Sequence, residues 1–162
     1  SIQKDNKVGA YFGQGDNGNQ INFTFAGNDG GLNVGGPLRV TGAKNSVVQT
    51  TQGWLAINAY ETAEYYFGDI GEGQTDSNGV AYIGIEKLFN ETVNTNIPYQ
   101  VFLTAYGSGN LWVAQREHDR FVVKSDQPNI KFGWEIKAKR KGYEHTRLQN
   151  VDDKLNYMEA TS

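Results

Sequence analysis

The segment Ile130-Lys131-Phe132-Gly133-Trp134-Glu135-Ile136-Lys137-Ala138-Lys139 decides the fold class of this chain. Ile130, Phe132, Trp134, Ile136 and Ala138 fall on one face, and Lys131, Glu135, Lys137 and Lys139 on the other. Side chains of a strand alternate between faces, so this is a strand with one dry and one wet side, the signature of an antiparallel sheet.

The neighbours upstream repeat the signal. Trp54–Tyr60, Val80–Ile85, Tyr99–Tyr106, Leu111–Gln115 and Phe121–Lys124 read as further strands. The turns Asp76-Ser77-Asn78-Gly79, Gly107-Ser108-Gly109-Asn110 and Ser125-Asp126-Gln127-Pro128-Asn129 separate them. Asn-Gly supplies the positive φ of a tight hairpin. Glu86–Asn94 is the one short-helix candidate, with Leu88, Phe89 and Val93 expected on a shared face. About six close-spaced strands imply a small antiparallel β-sandwich or barrel-like head. The expected fold class is therefore all-β, with one short helix.

The ends differ from this centre. Ten of the 20 glycines lie in residues 1–42, between short alternating pieces: Ile21, Phe23 and Phe25; Leu32 and Val34; Leu38 and Val40. A piece of that length buries little surface alone. It is either a flexible linker or a β stalk in which three chains supply one another's core, and the alternating Phe and Ile favour the stalk. Residues 43–53 read as a polar bridge. In the tail, Leu148, Val151, Leu155 and Met158 are spaced three, four and three, a heptad-like seam. It reads as a short trimeric coiled coil or as a disordered or docked segment. The expected organisation is a stalk over 1–46, a head over 47–147 and a tail over 148–162.

Composition removes several functions. There is no Cys, so thiolate metal sites, disulfides and a Cys nucleophile are excluded. A net charge of −3 argues against nucleic acid as the main partner. No apolar run is long enough to form a membrane-spanning helix. No signal peptide is recognisable, and Ser1-Ile2-Gln3-Lys4 reads as the interior of a longer protein.

Chemistry-bearing residues are sparse. His118 sits beside Asp119 in a charged turn, without a G-x-S-x-G elbow to add a serine. Glu61 and Glu64 could pair as glycosidase carboxylates, but acidic content alone explains them. Asp69, Glu72, Asp76 and Asn78 are oxygen donors on what read as Gly-rich loops, which Ca²⁺ could use, but without EF-hand spacing. No catalytic residue, metal site or cofactor is expected. Lys137, Lys139, Arg140, Lys141 and Arg147 form a basic cluster, which suits an anionic glycan, the acidic 61–76 region or plain solvent. Tyr60, Tyr65, Tyr66, Phe67, Tyr106 and Trp112 lie in or beside turns. Aromatic faces there could stack on pyranose rings, or pack in the core or between subunits.

One resemblance covers roughly residues 38–148. It runs from the Gly-rich Leu32–Asn45 repeat through Ala59-Tyr60-Glu61-Thr62 and Tyr66-Phe67-Gly68-Asp69-Ile70-Gly71-Glu72 to the Asp76–Gly79 hairpin. It continues with Glu91-Thr92-Val93-Asn94, Tyr99-Gln100-Val101-Phe102-Leu103 and Trp134-Glu135-Ile136-Lys137-Ala138-Lys139-Arg140-Lys141-Gly142-Tyr143-Glu144. In that order, these motifs resemble the C-terminal β domain of tail-fibre and appendage (minor structural, receptor-binding) proteins of phages and prophages of Gram-positive bacteria. The resemblance implies an extracellular virion component at the phage tail, an intertwined homotrimer that attaches to host cell-wall glycan such as teichoic acid. Other tail proteins would join through its N-terminal side. It implies no enzymatic activity and carries over no catalytic residue. The alternatives are a monomeric carbohydrate-binding module of a larger secreted enzyme, or a self-processing trimerisation domain.

Overall fold

The computed structural model describes residues 34–152. The chain divides into two units, Ser1–Ala59 and Tyr60–Ser162. The break thus falls after the Trp54 strand, rather than between residues 46 and 47.

In the first unit, β1 (Asn45–Thr50) and β2 (Gly53–Asn58) form an antiparallel hairpin. Seven of the eleven residues read as a polar bridge are therefore strand. Val47-Val48 gives it β propensity, and Gly53, at φ 100°, lets the chain turn. The Thr50 hydroxyl donates to the Gly53 carbonyl at 2.9 Å and accepts from the Gln52 N–H at 3.1 Å. Every residue of both strands is exposed. Leu38 and Val40, expected in a short strand, are exposed and lie outside any strand. Ile21, Phe23, Phe25 and Leu32 lie outside the described residues.

The described residues of the second unit form six strands and one helix. They are β3 (Tyr66–Gln74), β4 (Val80–Gly84), α1 (Lys87–Thr92), β5 (Gln100–Ala105), β6 (Leu111–Arg116), β7 (Arg120–Ser125) and β8 (Lys131–Lys139). They build two antiparallel three-stranded sheets, β3-β8-β5 and β4-β7-β6. The central strands β7 and β8 face each other across the core. Phe121 and Val123 come from one sheet, and Phe132, Ile136 and Ala138 from the other. Phe121 meets Trp134 edge-on, with centroids 5.5 Å apart. The β8 alternation is realised as expected, with Ile130, Phe132, Ile136 and Ala138 buried. Trp134 is partly buried, and its indole N–H is covered without a partner among the described residues.

β3 is the strand that local sequence hid, because Gly68, Gly71 and Gly73 read as loop. In the sheet they provide clearance. Gly71 lies opposite Trp134 and Gly73 opposite Phe132. A Cβ at Gly71 would sit 2.5 Å from the Trp134 ring, and one at Gly73 2.7 Å from the Phe132 ring. The large inward rings of β8 therefore require a partner strand without side chains at those two positions.

Elsewhere the local signals hold. Asp76–Gly79 is a tight turn: the Gly79 N–H donates to the Asp76 carbonyl at 3.0 Å, and Gly79 has φ 74°. The Asp76 carboxylate accepts from the N–H groups of Asn78 and Val80 at 2.8 and 3.0 Å. Glu86 caps α1 by accepting from the Phe89 N–H at 2.6 Å. Val93 is fully buried and Phe89 packs on the core, whereas Leu88 points outward, against expectation. Consecutive helical side chains point about 100° apart, so Phe89 faces the core while Leu88 turns away.

The tail departs from the heptad reading where it can be seen. Leu148 has φ 41°, is exposed, and donates its N–H to the Ala63 carbonyl at 3.1 Å, while Val151 is not helical. Leu155 and Met158 lie outside the described residues.

Candidate functional site

The six aromatic residues singled out in the sequence do not form one surface. Tyr65 stacks on Tyr143, with centroids 4.6 Å apart, and Phe67 and Tyr143 lie 5.4 and 4.5 Å from the Arg140 guanidinium. Tyr66 turns to the other face of β3, where its hydroxyl donates to Glu64 at 2.9 Å. Tyr60, highly exposed, has the Lys137 ammonium 4.4 Å from its ring centre. Trp112 sits on β6, opposite Lys124 of β7, in the other sheet. Tyr106 borders a groove on the β3-β8-β5 sheet.

The basic cluster is largely spent on internal contacts. Lys139 pairs with Glu64 at 2.9 Å and Arg147 approaches the same carboxylate at 3.9 Å. Those cations, with the Tyr66 hydroxyl, hold the Glu64 carboxyl below the usual carboxylate range; the Lys139 hydrogen bond is the largest cause. The Tyr66 hydroxyl is pushed up in return. Lys137 meets Glu135 at 3.2 Å. Lys141 donates to the Asn90 and Glu91 carbonyls at the end of α1. The pairing of the cluster with the acidic 61–76 region is thus met by Glu64.

The other candidates have local duties. His118 and Asp119 lie 3.9 Å apart, both exposed, in a turn. Asp76 serves its own turn, and the Asp69 carboxylate accepts from the Ile70 N–H. Among the described residues, no group of three His, Asp or Glu is placed to hold a metal ion.

A shallow groove with an aromatic rim lies on the outer side of the β3-β8-β5 sheet. There the register sets three residues abreast in each row. Ile70, Glu135 and Phe102 form one row, and Glu72, Gly133 and Thr104 the next. Gly133 interrupts the Lys-Glu-Lys face of β8, and the Tyr106 hydroxyl occupies the space that a Cβ there would need. Tyr106 therefore leans over the sheet. Its N–H bonds to the Lys131 carbonyl at 2.8 Å. Ile70, Phe102 and Tyr106 are all more than half exposed, at 73%, 54% and 58%. Together with Glu72, Glu135 and Thr104 they border a shallow groove of about 390 Å³.

Sequence reasoning found Tyr106 here and missed Ile70, Phe102 and Glu135 as a group, while Glu72 was read as an oxygen ligand for a cation. One signal was available. In Val101-Phe102-Leu103 three apolar residues run in succession, so one must face outward. Compared with protein-family models, with curated proteins and with solved structures, the chain matches none.

Proposed function

We propose that the chain is an adhesive, non-enzymatic module. It would form the C-terminal part of a trimeric tail-fibre or receptor-binding protein on the virion of a phage or prophage of Gram-positive bacteria. Its task would be attachment to host cell-wall glycan. The observation that carries this reading is the β1-β2 hairpin. Val47, Val48, Trp54, Leu55 and Ile57 are all exposed on a two-stranded ribbon. Such a ribbon is marginal in water without further cover. Copies of the same chain, wrapped as a stalk, would provide that cover and leave the outer faces of the six-stranded unit for a receptor. The sequence motifs quoted above supply the phage and cell-wall elements of the proposal.

The groove over Gly133 favours a second reading, a monomeric carbohydrate-binding module, because Phe102 and Tyr106 stand beside the acceptors Glu72 and Glu135 on it. Light scattering on a sizing column separates the two. A mass three times the 18.0 kDa chain supports the fibre module. A monomer removes the interlocked stalk and leaves the single-chain sugar binder.

A further inference from the structure

We infer that the groove on the β3-β8-β5 sheet takes a pyranose bearing a free ammonium group. This rests on the glycan-binding reading above and names the ligand class of that surface.

The groove offers two kinds of contact. Tyr106 leans across the gap at Gly133, with Phe102 and Ile70 on the adjoining row. Exposed aromatic and aliphatic faces of this kind suit the C–H face of a sugar ring, and the negative face of an aromatic ring attracts a cation. The polar rim is rich in acceptors: Glu72 on β3 and Glu135 on β8. An ionised carboxylate only accepts hydrogen bonds, so the ligand must bring donors.

Charge decides among donor-bearing sugars. Glu72 has no ion-pair partner among the described residues. The lysines of the same β8 face stand at either end of the groove. Lys137 is held at 3.2 Å from Glu135 and 4.4 Å from the Tyr60 ring, and Lys131 lies outside the lining. A phosphate or a sugar acid would meet the Glu72 carboxylate, with Lys137 already committed to Glu135. An N-acetylated sugar would bring a neutral amide and gain no ion pair with the exposed Glu72. An ammonium satisfies Glu72 and the aromatic faces together.

The test titrates glucosamine oligomers, and their N-acetylated counterparts, into the full ¹⁵N-labelled chain, with the amides of Glu72, Thr104 and Gly133 as the readout. The expected result is binding of the amine form at these amides. Acetylation or the exposed substitution Glu72→Gln should weaken it about tenfold, the worth of one charge-assisted hydrogen bond. Tyr106→Ala should weaken it as well, and the distant Asp119→Asn should not. Equal binding of both sugars would overturn the ammonium preference and leave the glycan reading standing. Loss of affinity matched by Asp119→Asn would reduce the effect to diffuse charge attraction and overturn the site. Binding of neither sugar would overturn both this inference and glycan recognition on this face; the mass measurement would still decide the fibre reading.

Discussion

Gly71 and Gly73 show how a single residue can be structural by having no side chain. Each faces a large ring of β8, and a methyl group at either would lie within 2.7 Å of that ring. Gly71→Ala or Gly73→Ala should cost about 1–3 kcal/mol through overpacking, read as a lowered denaturation midpoint. Gly84→Ala is the contrast: nothing lies within 4 Å of its Cβ, and it should be neutral or slightly stabilising. A second residue-scale effect is acid sensitivity. Glu64 is held below its ordinary 4.5 first by Lys139 and then by Tyr66, and Glu86 and Glu144 are lowered by backbone N–H groups. On acidification the unfolded chain therefore takes up protons first. The stability these carboxylates contribute is complete above pH 4.5 and is lost as pH falls through their folded values. Thermal melts across that range should show the loss, and Glu64→Gln should flatten it; an unchanged acid limb in the variant would assign it to other groups.

At the scale of elements, the β1-β2 hairpin and the β3-β8-β5 sheet pose the same problem in different degrees. Both expose apolar side chains, but the sheet has a buried opposite face to hold it and the hairpin has none. Trp54→Ser with Ile57→Ser should therefore leave the melting of the six-stranded unit nearly unchanged. In the fibre reading the same pair should lower the solution mass from trimer towards monomer on a sizing column. If the double variant keeps the parent's mass, the hairpin is not what holds copies together.

Over the whole molecule, the two sheets are tied by a small number of long-range polar contacts. The Tyr99 hydroxyl, buried between β5 and the β6-β7 turn, shares its one proton between the carbonyls of Glu117 and Arg120, at 2.8 and 3.0 Å. Thr75, also buried, accepts from the Ile130 N–H at 3.0 Å and bonds the Ser125 hydroxyl at 2.9 Å. Burial pushes the Tyr99 hydroxyl up from 10.0 to about 12. Its neutral form is favoured by folding, so this stabilisation is complete below pH 10 and is lost as pH climbs towards about 12. Alkaline melts should show that loss. Tyr99→Phe should remove much of the pH dependence there while lowering stability at neutral pH by about 1 kcal/mol per lost hydrogen bond.

The all-β class, the turn at Asn78-Gly79, the short helix and the buried face of β8 were legible in the chain itself. Each depends on alternation or turn chemistry within a few neighbouring residues, which any reader of local sequence can see. β3 was not legible, because its glycines answer to Trp134 and Phe132, some sixty residues away in the chain. The candidate site was half legible: Tyr106 was visible as an aromatic beside a turn, but its setting over Gly133, with Phe102, Ile70 and Glu72, follows from strand register. The separation of Tyr60, Tyr65, Tyr66, Phe67 and Trp112 among different surroundings came from the same source. Local sequence determines which residues alternate and where the chain turns; only the tertiary pairing decides which faces meet, because register and ring clearance are relations between distant segments.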